Sequence, residues 1–432
     1  MINKLRRQSP ARIIAMGFAL MILLGTLLLS LPCSVKEGID VNFVDTLYTS
    51  TSAVCVTGLI AVDAGDTFTP LGQFFLAVLI QIGGLGVTAV GAGVIIAMGR
   101  KVDLKGRNII REAMNLDSGK GVVRFLRNVF FTTAAFELAG AVLSFPVFAR
   151  DHSPVKAAGI SLFHSVAAFN NSGFDILGGG TNLIPYQSST ALNLVTCALI
   201  IFGGIGFLVI RDVLDKRFRW KKFSMHTKVV LSMSAGLIIV GTLLLKLTEN
   251  ITWLGAFFQS VTARTAGFCT YPLGGFTNAG LMVMIVLMFI GASPGSTGGG
   301  IKTTTFFALL QGVKSAATNR SEKAFRYSMP GAAFRKGAVI ALIGLSVVLS
   351  GTFVMALLEP DIPLRDVLFE ITSAFGTVGL STGITGGLSS GSKLLSILIM
   401  YIGRLGTMTI ATMWYFNKGE RVSYPEGDIA IG

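Results

Sequence analysis

The chain has 432 residues, of which 52% are hydrophobic and 13% are charged, and its mean hydropathy is +0.69. Soluble proteins carry about 25% charged residues, so this composition excludes soluble, disordered and disulfide-framework proteins. It predicts an all-α polytopic membrane protein. The net charge of +14 does not call for nucleic acid, because the basic residues follow a membrane pattern described below.

Eight apolar segments approach the length of about 20 residues that a spanning helix needs. In chain order they are residues 13–31, 74–98, 128–149, 191–210, 229–245, 279–313, 338–358 and 394–416. The first segment follows a basic N-terminus but is longer than the apolar core of a signal peptide. No small-residue cleavage site follows it, so we expect it to be retained. The sixth segment is interrupted by glycine and proline.

The charges of the connecting segments predict the orientation of the chain. With an even number of spans and a cytoplasmic N-terminus, the inside segments hold 27 of the 36 basic residues; these segments are 1–12, 100–127, 211–228, 314–336 and 417–432. Twelve of the 22 acidic residues fall outside. This positive-inside distribution places both termini in the cytoplasm.

Four stretches too short to cross the membrane lie between successive pairs of spans, at 47–59, 162–174, 256–268 and 368–380. Each has an aromatic residue ten positions before a glycine; these aromatic residues are Tyr48, Phe163, Phe257 and Phe369. A helix glycine follows each loop glycine after 25, 30, 24 and 24 residues. This regularity predicts four tandem helix–pore-loop–helix repeats around one pore, with eight transmembrane helices. The predicted repeats are 1–99, 100–226, 227–320 and 321–432, the last including a C-terminal tail.

The glycines divide into two groups. Those within the helices (Gly84, Gly86, Gly204 and Gly206) are interpreted as packing residues. The four loop glycines follow about three turns of helix in short hairpins, where close helix packing explains little. Non-helical backbone at membrane depth is tolerated where protein buries it or water lines it, and its carbonyls can replace the hydration shell of a cation. The predicted ion-binding triplets are Val56, Thr57 and Gly58; Asn171, Ser172 and Gly173; Thr265, Ala266 and Gly267; and Thr377, Val378 and Gly379.

The loop sequences Val56–Leu59, Asn170–Phe174, Arg264–Phe268 and Phe375–Leu380 resemble those of the Trk/Ktr/HKT superfamily of potassium transporters, and the similarity spans nearly the whole chain. The length resembles the bacterial Ktr membrane subunit (KtrB type). Cys55 and Ser172 stand where Thr and Ala are expected; both are small, so the filter is expected to be intact. The resemblance implies potassium uptake across the bacterial plasma membrane, with glycine in all four loops accompanying potassium selectivity.

The resemblance also implies partners. It predicts a homodimer docked on a cytosolic ring of nucleotide-binding RCK (KTN) subunits, which are separate polypeptides. No cofactor is expected in this chain, because the nucleotide belongs to the partner. Potassium is the substrate, whereas activation by sodium, and the choice between a channel and a coupled transporter, stay open.

A run of small and polar residues, Gly291–Lys302, interrupts the sixth span. Gly295 and Gly300 have the spacing of a phosphate-binding loop, but Ile301 displaces the required lysine and no strand precedes it. A simple kink is a second alternative, although it needs far fewer glycines. We therefore predict an intramembrane gating loop, which the resemblance also implies, formed by Gly291, Ser293, Pro294, Gly295, Ser296, Thr297, Gly298, Gly299, Gly300 and Lys302. Lys302 is expected to anchor this loop or to reach the cytoplasmic surface.

Charged side chains inside a membrane cost roughly 2.5–3.5 kcal/mol or more, so they are candidate functional residues. Arg404 lies in the middle of the last span and is predicted to be an electrostatic barrier beneath the filter. The alternative is an ion pair with Glu137 or Glu370. Arg264 is expected to brace the pore loops against an acidic residue, and His164 is expected to be a packed residue rather than a proton carrier.

Two other functions were weighed. An ion-coupled secondary transporter predicts twofold inverted repeats and a buried carboxylate pair. A membrane enzyme predicts a concentrated set of polar groups, whereas His152, His164 and His226 are far apart in the sequence, so no catalytic residues are assigned. The tail at 424–432 is too short to span; by resemblance it packs at a dimer interface, with a disordered end as the alternative.

Overall fold

The computed structural model describes residues 9–98, 104–113, 121–407 and 409–410. Within these residues helices predominate, and the strands form one antiparallel hairpin of Lys323–Ala324 and Tyr327–Ser328. Four times in chain order, a long outer helix is followed by a short pore helix and then by an inner helix. This order is the repeat that the spacing of the loop glycines predicts.

The outer helices are the long, apolar ones: Pro10–Leu29, Val122–Phe148, Met225–Thr248 and Ala333–Leu358. In the most apolar window of each, only 28–33% of the residues are buried within the protein. Since the exposed remainder is hydrophobic, these helices present most of their surface to lipid. By length and composition these four helices can each cross a membrane, and six spans are possible if two bent inner helices are included.

The pore helices are short and lie inside the ring of outer helices: Phe43–Val54, Pro154–Phe169, Trp253–Thr262 and Leu364–Gly376. Side-chain oxygens of Asn42 and Thr252 cap the first and third by accepting hydrogen bonds from backbone N–H groups. Most residues in the second half of each helix are buried. The C-terminal carbonyls therefore lie in the centre of the protein, next to the predicted filter.

A serine hydroxyl fixes the pore helix to the outer helix in the first three repeats. Ser50 donates to the Ile22 carbonyl at 2.7 Å, and Ser260 donates to the Ile238 carbonyl at 2.9 Å. Ser165 does the same with the Glu137 carbonyl at 2.6 Å. The outer-helix glycine three residues after each carbonyl leaves the space into which the serine fits; these glycines are Gly25, Gly140 and Gly241.

These equivalent serines correct the alignment of the third repeat. Ser50 and Ser165 precede their loop glycines by eight residues, but Ser260 precedes Gly267 by only seven. The segment from this serine to the loop glycine is therefore one residue shorter in the third repeat. Phe258, which is 1% exposed, is the residue equivalent to Tyr48, and the assignment of Phe257 to that position was wrong by one residue.

The first and second inner helices are each broken in two. Pro70–Leu85 meets Val87–Ala97 at 98°, and Thr190–Ile205 meets Phe207–Asp215 at 95°. The predictions of unbroken spans at 74–98 and 191–210 were therefore wrong.

Each break occurs at a glycine with positive φ, at 88° for Gly86 and 91° for Gly206. Other residues adopt this left-handed conformation with difficulty, so the bend itself calls for glycine at both positions. Gly206 also packs closely, since a methyl group there would lie 2.7 Å from the Pro294 carbonyl. One at Gly86 would meet nothing within 4 Å, so the packing role predicted for Gly86 was wrong. Gly84 and Gly204 do have a packing role, because their Cα atoms lie against the side chains of Asn170 and Asn171.

The third inner helix is interrupted for longer. Asn278–Phe289 and Thr303–Thr318 are separated by non-helical residues, and a parallel bridge between Ile290 and Ile301 closes this segment at its base. The predicted interruption of the sixth span is confirmed. The fourth inner helix, Ser390–Leu405, ends at Gly406, whose φ is 83°.

The remaining elements are short connections. They include the helices Ala64–Thr67 and Leu104–Ala113 and the 3-10 turns Ile184–Tyr186, Trp220–Lys222, Leu273–Gly275 and Thr385–Gly387. The predicted tail at 424–432 and the end of the eighth predicted span, 411–416, lie outside the described residues.

Links between outer loops and helix ends join neighbouring repeats. Asp63 and Asp66 of the first repeat accept hydrogen bonds from the N–H groups of Gly180 and Gly179 in the second. Similar links run from Asn182 to Cys269, from Arg365 to Asn278 and from Lys393 to Asp45. The last link joins the fourth repeat to the first, so the four repeats form a closed ring.

Candidate functional site

The four predicted filter triplets share an unusual backbone conformation. The first residue of each triplet has positive φ, although none is glycine: 56° at Val56, 58° at Asn171, 73° at Thr265 and 49° at Thr377. The last residue is a glycine with φ between 69° and 94°. A backbone that alternates between left- and right-handed regions directs successive carbonyls toward one side. Holding a non-glycine residue in this region costs about 1–2 kcal/mol, so the surrounding structure enforces the conformation.

The filter glycines meet around a common centre. A methyl group in place of the hydrogen of Gly173 would lie 2.8 Å from the Cα of Gly267, and one on Gly379 would lie 2.8 Å from the Cα of Gly58. Each glycine faces the carbonyl oxygen of the middle residue of the next triplet. The facing pairs are Gly58 with Ser172, Gly173 with Ala266, Gly267 with Val378, and Gly379 with Thr57. No side chain larger than hydrogen fits between these loops.

Hydroxyl groups of the pore helices hold the filter backbone from behind. The N–H of Gly58 donates to Ser52 Oγ at 3.0 Å, and the N–H of Gly379 donates to Ser373 Oγ at 3.1 Å. In the third repeat, Thr262 Oγ1 instead donates to the Phe268 carbonyl at 2.7 Å. In the first and fourth repeats the amide hydrogen of the loop glycine is therefore turned toward the pore helix.

The intramembrane loop, residues 291–302, packs directly against the filter loops. The N–H of Gly299 donates to Thr377 Oγ1 at 3.0 Å, and Gly298 abuts Thr265 Oγ1. Thr297 Oγ1 donates to the Phe169 carbonyl at 3.3 Å. Three of the four pore loops are thus contacted by one segment.

The same loop also lines a cavity of about 170 Å³ on its other side. The lining includes Gly86 and Gly406, at which the first and fourth inner helices end, and Arg404 of the fourth inner helix. Gly295 and Lys302 line the cavity from the intramembrane loop. The loop therefore separates the filter from this cavity.

Arg404 joins the two sides of the cavity. Its guanidinium donates to the carbonyl of Thr297 in the intramembrane loop and to the carbonyls of Gly83 and Gly84 in the first inner helix. The guanidinium also lies 5.9 Å from the centre of the Phe18 ring. Lys302 Nζ donates to the carbonyls of Gly298 at 2.7 Å and Gly299 at 3.3 Å, which anchors the loop.

The alternative ion pairs of Arg404 do not form within the described part of the chain. Glu137 instead accepts a hydrogen bond from Asn170 Nδ2 at 3.0 Å, and Glu370 accepts hydrogen bonds from Ser381 and Thr385 at 2.7 and 2.6 Å. Glu370 is fully buried within its pore helix, although the sequence placed it among the outer segments.

The sequence also assigned partners or roles to Arg264 and His164, which are both buried. Among the described residues no acidic side chain pairs with Arg264; its Nη1 donates to the Ser234 carbonyl of the third outer helix at 3.4 Å. His164 is a packed residue, as predicted. Its ring makes edge contacts with Phe148 and Phe268, and its Nε2 lies 2.9 Å from Thr196 Oγ1.

The sequence reasoning missed the side chains that support the filter from outside. Asn182, on the loop after the second filter, bonds to the Gly173 carbonyl at 3.1 Å and to the Cys269 N–H at 3.1 Å. The hydrogen bonds of Glu370 to Ser381 and Thr385 could have been anticipated from the sequence. An acidic residue among the apolar and small residues of a pore helix needs hydrogen-bond donors nearby. Asn182 gives no such signal, since asparagine is common in turns.

A bundle of long apolar helices around four converging backbone loops is the architecture of a polytopic membrane protein. The profile of the family described as "TrkH: Cation transport protein" matches residues 5–418, and the chain belongs to this family. Its members are transporters, so the chain is not an enzyme.

Two full-length relatives are similar in sequence. The potassium/sodium uptake protein NtpJ of Enterococcus hirae is 36% identical, with 99% of this chain and 98% of that protein covered. The Ktr system potassium uptake protein B of Bacillus subtilis is 35% identical, with 99% and 97% covered. The crystal structure of the potassium transporter TrkH from Vibrio parahaemolyticus has the same fold, with a TM-score of 0.74 over 95% of this chain and 86% of that one, at 18% identity.

Proposed function

We propose that this chain takes up potassium ions across the bacterial plasma membrane through the ring of four filter triplets. The observation that carries the proposal is the closed ring of Gly58, Gly173, Gly267 and Gly379, in which each glycine faces a carbonyl of the next loop. The names of two relatives support potassium as a transported ion: the Bacillus subtilis relative is a potassium uptake protein, and the Enterococcus hirae relative is a potassium/sodium uptake protein.

The chemistry of the ring suits a monovalent cation. Backbone carbonyls replace part of the hydration shell without a fixed negative charge, so an ion can enter and leave. Each pore helix ends with at most two residues between it and its triplet, and it adds about half a negative charge at its C-terminus. The first and middle residues of the triplets supply further carbonyls; these are Val56 and Thr57, Asn171 and Ser172, Thr265 and Ala266, and Thr377 and Val378.

We propose that the intramembrane loop is the gate. It lies between the filter and the cavity, where it blocks an ion that has passed the four glycines. Arg404 holds the loop through the Thr297 carbonyl and places a fixed positive charge in the path, while Lys302 holds it through the Gly298 and Gly299 carbonyls. Opening requires these hydrogen bonds to break together, which makes the loop a two-state element.

The remaining parts of the proposal concern assembly. The chain forms a homodimer whose cytoplasmic face docks on a ring of nucleotide-binding RCK (KTN) subunits; the support is the similarity to proteins of Ktr systems and the basic inside segments. Both termini are cytoplasmic, potassium is the substrate, and nucleotide binds the ring rather than this chain. Activation by sodium is a separate question for the transport assay.

The test is flux through the purified chain in liposomes under an imposed voltage, with and without the cytosolic ring. We expect potassium flux to exceed sodium flux and to rise when the activated ring is added. Equal flux of both ions would contradict the filter assignment. Flux of neither ion in the presence of the ring would contradict the proposal as a whole.

A further inference from the structure

Asn182 uses every hydrogen-bonding position of its side chain. Its Nδ2 donates to the Gly173 carbonyl at 3.1 Å and to Asp175 Oδ2 at 2.9 Å. Its Oδ1 accepts from the N–H groups of Cys269 at 3.1 Å and Leu183 at 2.9 Å. Because both ends of the amide face matching partners, its orientation is determined by the network.

These contacts make one filter carbonyl different from the other three. Among the described residues, Gly173 is the filter glycine whose carbonyl accepts a bond from a side-chain amide. That bond fixes the direction of the carbonyl and uses one of its two lone pairs, so the field it presents to a cation is altered. Through Cys269, two residues after Gly267, the same side chain also ties the second loop to the third.

Asp175 controls the direction of the Asn182 amide. Its carboxylate is 6% exposed and also accepts the Leu177 N–H at 3.0 Å. The charged and titratable groups that face it from other repeats are Asp63 and Asp66 on the first outer loop and the Cys269 thiol on the third. Burial, followed by the charges of Asp63 and Asp66, raises the pKa of Asp175 to about 7, despite the hydrogen bonds from Leu177 and Asn182.

We propose that Asn182 and Asp175 are positioning residues that set the outer rim of the filter and thereby its discrimination of potassium from sodium. The inference rests on the proposed potassium pore. Asn182 holds the Gly173 carbonyl at the distance and direction that suit the larger ion. Asp175 holds the amide in register while ionised and adds negative charge near the mouth.

The sign of the pH effect follows from the direction of the shift. A carboxyl with a raised pKa is protonated as the outside pH falls through about 7. The neutral acid is a weaker acceptor for the Asn182 amide and carries no charge. Discrimination between the two ions therefore falls as the outside solution becomes acidic.

The first test is Asn182→Gly, which removes the amide but keeps the positive φ of 49° at this position. We expect the potassium-to-sodium permeability ratio, measured from reversal potentials with the ring present, to fall about fivefold, as loss of one buried hydrogen bond implies. Asn193→Ala is the matched control, because Asn193 is also buried and donates to the carbonyls of Tyr186 and Gln187, away from the filter. An equal fall in the control would overturn the inference.

A paired exchange separates positioning from loop packing. Asp175→Asn with Asn182→Asp restores an acid–amide contact, but an aspartate at 182 cannot donate to the Gly173 carbonyl. We expect discrimination to stay low in this double variant. Recovery of the ratio seen in the unaltered protein would mean that the contact with Gly173 is irrelevant.

The pH profile provides an independent measurement. In the unaltered protein the permeability ratio should fall as the outside pH drops through about 7, and Asp175→Asn should make it independent of pH in that interval. If the unaltered protein does not discriminate between the ions, the proposed function itself fails. If it does, and Asn182→Gly and Asp175→Asn match it at every pH, only this inference fails.

Discussion

The four repeats are alike at the filter triplets and differ in the inner helices beneath them. At the filter, four loops have the same backbone conformation and each glycine meets its neighbour in the same way. Below the filter, the inner helices of the first, second and fourth repeats stop at a single glycine. The third is opened into a loop that contacts three of the four pore loops.

This difference separates two requirements. An ion on the axis is surrounded by carbonyls, so equivalent loops supply equivalent ligands. A gate has to close a central path with one moving element, and four equivalent loops on the axis would collide. Breaking the equivalence of the filter should therefore alter selectivity, whereas altering the third inner helix should change the rate of flux.

The largest effect on flux is expected from shortening the intramembrane loop of the third repeat. Deleting Ser293–Gly300 removes the segment between filter and cavity, so flux in the absence of the cytosolic ring should rise about tenfold or more, as the loss of even 1.4 kcal/mol of closure implies. Liposome flux measures it. Deleting the surface hairpin Lys323–Ser328 is the control and should leave flux low. Unchanged flux in the first variant would mean that the loop is not the barrier.

The next largest effect is expected from a substitution in the ring of four loop glycines. Gly58→Ser places a side chain against the Ser172 carbonyl and within about 3.1 Å of the Gly173 Cα, so the ring must widen at this point. We expect sodium to enter and the potassium-to-sodium permeability ratio to fall about tenfold. Gly38→Ser is the matched control, since Gly38 also has positive φ, at 80°, but nothing surrounds it. A permeability ratio that stays constant in Gly58→Ser would count against the filter.

Removing the hydrogen bonds by which Arg404 joins the intramembrane loop to the first inner helix should have a smaller effect on flux. Arg404→Gln keeps a polar side chain but cannot span from Thr297 to the first inner helix. We expect flux without the ring to rise about fivefold, because about 1 kcal/mol of hydrogen bonding that holds the loop is lost together with the positive charge. Arg211→Gln, at an exposed helix position paired with Asp215, is the control. Lower flux in Arg404→Gln than in the unaltered protein would exclude the barrier role.

The smallest effect is expected from alanine substitutions at Gly86 and Gly206, where the first and second inner helices bend. A methyl group at Gly206 would lie 2.7 Å from the Pro294 carbonyl of the intramembrane loop, whereas one at Gly86 meets nothing within 4 Å. Both alanine variants should lose about 1 kcal/mol of stability from the positive φ, and the contact with the Pro294 carbonyl should lower the Tm of Gly206→Ala further than that of Gly86→Ala. Only Gly206→Ala should also raise flux without the ring, about threefold. Equal flux in both variants would show that the contact between Gly206 and the Pro294 carbonyl does not affect gating.

The sequence predicted the parts of the molecule that depend on local pattern. The loop glycines located all four triplets, because a close approach of backbones leaves no alternative to glycine. Small differences in spacing were less visible: the segment from the serine to the loop glycine is one residue shorter in the third repeat, and the assignment of Phe257 was wrong by one position. A hydrophobic run alone cannot show a break at Gly86 or Gly206, since the residues on both sides are apolar.

The partners of the buried charges could not be read from the sequence. A pattern search looks for an acid beside Arg404, yet the guanidinium binds carbonyls that become free only because the inner helices end there. Asn182 is a similar case, since its partners belong to loops that the fold brings together. The groups that bind Arg404, and all but one of those that bind Asn182, are backbone atoms, which carry no residue identity.

The closure of the fourth repeat on the first has a consequence for biosynthesis. Lys393 pairs with Asp45, 348 residues earlier, and Tyr401 donates to the Ala15 carbonyl, 386 residues earlier. Contacts between such distant residues form late, because they wait for loop closure and for the ribosome to deliver the final helices. A nascent chain that has inserted three repeats therefore holds an open-sided ring that cannot select an ion. The ring of four loops is therefore completed only when translation is nearly finished.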